Sequence, residues 1–194
     1  MKKEIIFATH NSKKVEEVNK ILAGNWKILT LNDINFQEEI PEIGNTLEEN
    51  AFQKAEVIYK TFSQNCFADD SGLIVPYLNG EPGVYSGRYA GEPRSDHRNI
   101  DLLLKNLGNT KERNSYFMTC ICLIFEGKKH FFSGRIEGEI TKSPKGNNGF
   151  GYDPIFIPKG HYKTFAEMSS AEKNLISHRA IAVNKLVDFL NTLA

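Results

Sequence analysis

Ile5-Ile6-Phe7-Ala8-Thr9-His10-Asn11-Ser12-Lys13-Lys14 is the stretch from which the fold is read. Its first four residues form a short, fully apolar run, as expected of a strand covered on both faces. Thr9 to Ser12 is a polar turn rich in helix N-cap residues. Behind it Val15, Val18, Ile21 and Leu22 recur at helical spacing until Gly24-Asn25 stops the helix. A buried strand that leads straight into a helix is the start of an α/β chain.

Outward from this unit the pattern continues. Trp26 to Leu31 reads as a second strand, and Asn32 to Asn45 as an irregular acidic segment. Thr46-Leu47-Glu48-Glu49 is a capping box, followed by one apolar stripe of Leu47, Ala51, Ala55, Ile58 and Phe62. Cys66-Phe67-Ala68 is a short buried strand that ends at Asp69-Asp70-Ser71-Gly72, and Leu73 to Leu78 returns as a strand with Pro76 marking an edge or bulge. A loop rich in Gly, Pro and Tyr runs from Asn79 to Arg94, and Ile100, Leu103, Leu104 and Leu107 mark the next helix. Tyr116 to Phe125 is apolar on both faces, as in a central strand. Glu126-Gly127-Lys128-Lys129 turns it into an antiparallel partner, His130 to Ile140. After a glycine-bearing loop, Lys142 to Tyr152, comes a short strand, Pro154 to Pro158. A second capping box, Ser169-Ser170-Ala171-Glu172, opens the last helix, with Ile176, Ala180, Val183, Val187 and Leu190 inside. Strand–helix units plus a hairpin predict an α/β fold with a mixed sheet. The absence of repeats and linkers predicts a single domain over residues 1–194.

The 194 residues are 40% hydrophobic and 25% charged, enough for a substantial core in a soluble globular chain. Lys+Arg and Asp+Glu balance at 24 each, which argues against partners held by bulk charge, such as nucleic acid or a membrane surface. No apolar run approaches the ~20 residues of a membrane span. Met1-Lys2-Lys3-Glu4 leads into only Ile5 to Thr9, too short for a signal-peptide core, so the expected location is the cytoplasm. Cys66, Cys120 and Cys122 lie in apolar stretches without further ligands at metal spacing. They are expected to be buried, inert thiols.

Five constellations could carry chemistry. Thr9 to Lys14 places backbone N–H groups and two lysines at a helix start, where a lysine is disfavoured by the dipole unless an anion is bound or Glu16 and Glu17 compensate. Asp69-Asp70 closes a buried strand, the usual place for a ligand in an open α/β sheet. Adjacent carboxylates there point to opposite sides, and one suits Mg²⁺, while Asp-Ser-Gly equally suits an Asx-type turn. Glu38, Glu39 and Glu42 offer a second carboxylate or a solvated loop. Gly146 to Pro154 carries Phe150 and Tyr152, either of which could stack on a base or plug the core. Lys173, His178 and Arg179 supply donors for phosphate oxygens and a base carbonyl, or a charged helix face.

The order and wording of these segments closely resemble the non-canonical purine nucleoside triphosphate pyrophosphatase family, the inosine/xanthosine triphosphatases. The matching pieces are Ala8 to Lys14, Glu49-Asn50-Ala51, Ala68 to Leu73, Pro82 to Ser86, Gly149 to Pro154 and Ser177-His178-Arg179, spread over essentially the whole chain. The resemblance implies an elongated mixed sheet flanked by helices, two lobes with a central cleft, a homodimer, and Mg²⁺-dependent hydrolysis of ITP, dITP and XTP to monophosphate and pyrophosphate. It implies that Thr9, His10, Asn11, Ser12, Lys13 and Lys14 line the triphosphate segment, with His10 at a position the family varies. Asp70 becomes the base and a metal ligand, Lys14 its catalytic partner, and Glu42 the second metal ligand, with Glu39 as rival. Lys54 becomes an extra phosphate contact and Ser71 a substrate contact. Phe150, Gly151, Tyr152 and Asp153 become the base loop, and Lys173, His178 and Arg179 complete the nucleotide site. Water attacks the α-phosphorus in this reading. The alternatives are a pyrophosphatase for other modified or ordinary nucleotides, a silent nucleotide-binding regulator, and a structural dimer.

Overall fold

The computed structural model describes residues 3–22 and 26–193. The expected helix stop at Gly24-Asn25 lies outside the described residues, as do Met1 and Lys2. Six strands form one sheet in the order β2-β1-β3-β4-β5-β6. They are β1 (Lys3–Phe7), β2 (Trp26–Thr30), β3 (Cys66–Ile74), β4 (Asn114–Phe125), β5 (Lys128–Ile140) and β6 (Phe156–Pro158). The helices are α1 (Ser12–Ile21), α2 (Leu47–Phe62), α3 (Asp96–Leu107), α4 (Ser170–Ile176) and α5 (His178–Thr192). β1 runs parallel to β2 and β3, whereas β6 is antiparallel to β5, so the mixed α/β sheet is borne out. The β4–β5 turn is only Glu126-Gly127. Both take positive φ, 47° and 77°, as a two-residue hairpin with the strands' own twist requires.

The chain forms two compact units. The first holds the residues up to Asp70, Thr119–Gly134 and those from Arg179 onward; the second holds Ser71–Met118 and Arg135–His178. In the first unit, strand alternation sorts the side chains onto two faces. Ile5, Phe7, Phe67, Ile121 and Leu123 pack with Val18 and Leu22 of the α1 segment and with Ala182, Val183, Leu186 and Leu190 of α5. Ile6, Ala8, Cys66, Ala68, Cys122 and Ile124 face Ala51, Ala55 and Ile58 of α2. The second unit packs Leu73 and Val75 with α3 residues Ile100, Leu103 and Leu107, and with Phe117, Tyr152, Phe156 and Phe165.

Four expectations are corrected. β3 does not stop at Asp69; it runs unbroken for nine residues to Ile74. Side chains from helices engage the Asp69 and Asp70 oxygens, partners supplied from outside the strand. Gly72 permits this path, because a Cβ there would lie 2.4 Å from the Gly83 carbonyl oxygen. Second, Pro76–Leu78 is a 3-10 turn and not strand, since Leu78 N–H donates back to Val75 O at 2.9 Å. Third, the Thr46 cap is not a closed box: Thr46 Oγ1 accepts from Glu49 N, but the Glu49 carboxylate accepts from Asn45 N. The Ser169–Glu172 box is closed as read, and an unforeseen one joins Thr164 and Glu167. Fourth, the last helix is two helices, broken where Ser177 turns extended (φ −67°, ψ 153°).

All three cysteines are buried, as expected. Burial pushes the Cys66 and Cys122 thiols up to about 12 and the Cys120 thiol to about 11. Thiolate is the reactive form. The folded protein at pH 8 is therefore expected to react with a thiol-directed dye many times more slowly than the same protein in guanidinium, where three thiols titrate at once. Rapid modification in the folded state would contradict this.

Candidate active site

Asp69 and Asp70 are neighbours on an extended strand, so they take opposite faces of the first unit, and each meets a different helix set. Asp69 looks toward α1 and α5 and is 1% exposed. Lys14 Nζ donates to its Oδ1 at 2.9 Å, and Arg179 Nε to its Oδ2 at 3.3 Å. The Arg179 guanidinium also pairs with Glu17. Burial pushes the Asp69 carboxyl up, but Lys14, Arg179 and Lys54 outweigh it and hold the group well below the usual carboxylate range. Asp69 is thus a fixed anion between two cations. This answers the question of the lysines at the α1 start: Lys14 is neutralised by Asp69 within the protein, and Glu17 serves Arg179. The α1 N–H groups of Lys13 and Lys14 both donate to the Asn11 side chain, at 3.0 and 3.2 Å. Asn11 is thus the N-cap of α1, in keeping with the cap residues read in this turn. Thr9 Oγ1 accepts from Asn11 N at 3.2 Å and shapes the same turn. His10, Ser12 and Lys13 are exposed, and the His10 ring contacts Glu38 O at 3.0 Å.

Asp70 looks toward α2. Asn50 Nδ2 donates to Asp70 Oδ2 at 2.9 Å, while Asn50 Oδ1 accepts from Gly44 N at 2.8 Å. One fully buried amide thereby ties the strand to the loop that carries Glu42. One helical turn later, Lys54 Nζ lies 2.7 Å from Glu42 Oε1 and 3.7 Å from Asp70 Oδ1. Of the two rival glutamates, Glu42 is the one brought beside Asp70; Glu39 is exposed. Burial raises the Asp70 pKa above the ordinary carboxylate value, against the pull of Lys54 and Lys14. Burial lowers that of Lys54, but Asp70, Glu42 and Asp69 more than reverse it. Asn50 appeared in the sequence only as part of a matching segment. Its signal was legible: Asn50 and Lys54 interrupt the apolar stripe of α2 at interior positions, where polar groups must be paired.

In the second unit, Lys173 Nζ donates to Asp153 Oδ2 at 2.7 Å, both residues buried. The ammonium lies 4.9 Å from the Phe150 ring centroid and 5.5 Å from that of Phe165. Phe150 N–H donates to the same Asp153 oxygen at 2.9 Å, and Gly151 N–H to Asp96 Oδ2 at 2.7 Å. The buried His178 ring stacks on Phe117 at 4.6 Å and 9°. Tyr152 is core, its hydroxyl donating to Ser86 O at 3.0 Å, so the idea of its ring as an exposed stacking platform is corrected; Phe150 is only half-buried. Ser71 follows Asp70 on β3 and is partly exposed. Phe117 and Phe165, which frame His178 and Lys173, carry no sequence signal: Phe117 sits in an apolar run and reads as core, and Phe165 stands alone between Thr164 and Ala166 without periodicity.

Among the described residues, no group of three or more His, Cys, Asp or Glu could cage a metal ion. The pair Glu42 and Asp70, already drawn to a single cationic group, fits a hard dication. Such an ion takes one or two carboxylates and completes its shell with water and substrate phosphate.

The model of the Ham1 family matches residues 5–189 of the chain. A dITP/XTP pyrophosphatase of Flavobacterium psychrophilum is 48% identical over 186 residues, 96% of this chain and 98% of that protein. The dITP/XTP pyrophosphatase of Bacillus subtilis is 47% identical over 192 residues, 97% of each. Among solved structures, the Ham1 protein of Staphylococcus aureus superposes with a TM-score of 0.90 at 41% identity, covering 99% of this chain and 100% of that one.

Proposed function

The chain belongs to the Ham1 family, and from that premise we propose that it hydrolyses dITP, ITP and XTP to the monophosphate and pyrophosphate, as a single catalytic domain over residues 1–194. The observation that carries this reading is the shared Lys54 ammonium, which draws Glu42 and Asp70 together on one face while Asp69, Lys14 and Arg179 lock the other.

Glu42 and Asp70 would hold Mg²⁺, which when bound neutralises phosphate charge and acidifies water. Asp70 is the group that orients the attacking water and takes its proton. Lys54 faces the growing charge on the phosphate oxygens, and Lys14, held by Asp69 yet within electrostatic reach of Asp70, adds positive charge nearby; Thr9, His10, Asn11, Ser12, Lys13 and Ser71 shape the neighbouring segments. Arg179 serves by fixing Asp69. In the second unit, Phe150, Gly151, Tyr152 and Asp153 shape the base loop, with the half-buried Phe150 ring against the base. His178 supplies a donor for a 6-keto group, and Lys173, paired with Asp153, steadies the base loop of the nucleotide site. An adenine, which offers an amino group there, would leave such a buried donor unpaired, and that mismatch is costly.

We further assign a homodimer, supported by the exposed Tyr77 and Tyr85 of the Tyr-rich loop, and a place in the cytoplasm, where the nucleotide pool is. No described helix is long and apolar enough to cross a membrane. The test is a panel of dITP, ITP, XTP, dATP and dGTP with Mg²⁺, following pyrophosphate and orthophosphate separately. Pyrophosphate from the first three, with dATP and dGTP turned over at least about a hundredfold less efficiently, is the expected result. Orthophosphate as first product, or equal use of dATP, would overturn the assignment.

A further inference from the structure

We propose that Lys54 is the exchangeable counter-ion of the Glu42–Asp70 pair: its ammonium holds the two carboxylates together until a divalent cation binds, and it then yields that place. The inference rests on the metal-binding role proposed for these carboxylates. α2 reaches the pair through two side chains of different kind. Asn50 is a neutral bridge, fully buried, joining Gly44 N to Asp70 Oδ2. It sets the spacing of loop and strand without competing for charge. Lys54 is a cationic bridge, its Nζ within 4 Å of one oxygen from each carboxylate. Two carboxylates held beside one another repel, and the ammonium that lies within 4 Å of both offsets that repulsion.

A dication and an ammonium cannot both hold these oxygens cheaply, because like charges at such distances repel strongly in a partly buried setting. Binding of one therefore weakens the other. The displaced ammonium sits on a flexible four-carbon stem and needs a new anion. The triphosphate supplies it. Metal and triphosphate thus favour each other's binding through Lys54, and the coupling is reciprocal.

The test uses the full chain without nucleotide and Mn²⁺ alone as probe, read by calorimetry or by the free-ion magnetic resonance signal. Lys54→Gln is expected to bind Mn²⁺ about tenfold or more tightly than the wild type, while Lys54→Arg, which keeps the charge, stays near the wild-type affinity. A structural role predicts weaker binding, and a role confined to phosphate contact predicts no change. Unchanged or weaker Mn²⁺ binding by folded Lys54→Gln overturns the proposal, even where binding is still lost in Asp70→Asn. Mn²⁺ binding indifferent to both Asp70→Asn and Glu42→Gln overturns the metal-site reading itself. A second readout needs no charge-removing variant: in the wild type, the Lys54 Nζ signal in nitrogen NMR is expected to lose its exchange protection when Mg²⁺ is added. A signal unmoved by saturating Mg²⁺ overturns the counter-ion role.

Discussion

Asp70→Asn is expected to lower kcat for dITP by about three orders of magnitude, the middle of the range for loss of a general base, with the unfolding midpoint essentially retained. The substitution keeps the shape of the side chain and an acceptor for Asn50 Nδ2, so the Asn50 bridge from Gly44 survives. It removes the proton acceptor and one ligand charge together. Stability holds because Lys54 keeps its shorter pairing, to Glu42 at 2.7 Å, and is not left without an anion. Asp69 cannot substitute, since it lies on the other face of β3 and is committed to Lys14 and Arg179. Turnover within tenfold of wild type would remove Asp70 from the chemistry. Kinetics and a thermal melt on the same preparation decide it.

Arg179→Met is expected to act in the opposite way. The guanidinium is 2% exposed and joins Asp69 to Glu17. Removing it leaves two largely buried carboxylates short of a cation, a loss of about 3–5 kcal/mol for a buried ion pair broken from one side. For a chain of this size that lowers the melting temperature by roughly 10 °C. In the fraction that stays folded, KM for dITP is expected to change only a few-fold. A raised KM with unchanged melting would instead make Arg179 a direct phosphate ligand.

The sequence was most informative where one period governed a segment. The apolar run at Ile5, the helical stripe of α2 and the Glu126-Gly127 turn each name their element, because burial and turn geometry there depend on adjacent residues. It misled at Asp69-Asp70-Ser71-Gly72. Local hydrogen bonding favours a turn there, but helices distant in sequence supply the partners that keep the strand straight. The alternation argument still sent the two carboxylates to opposite faces, as found. Lys14 and Arg179 illustrate the same limit. Their charges suit phosphate in isolation, and only the fold reveals that Asp69 lies between them. Ser177 breaks the last helix with a backbone turn that no proline or glycine announces. Asn50 was the quiet case, a polar residue at an interior helical position whose two partners come from a loop and a strand.

The most direct test of the account is hydrolysis of dITP with Mg²⁺ in water labelled with heavy oxygen, followed by mass analysis of both products. Attack of an Asp70-oriented water on the α-phosphorus places the label in the monophosphate and leaves the pyrophosphate unlabelled. Label in the pyrophosphate would mean attack at the β-phosphorus, and the assignment of Asp70, Glu42 and the two lysines around the α-phosphate would fall with it.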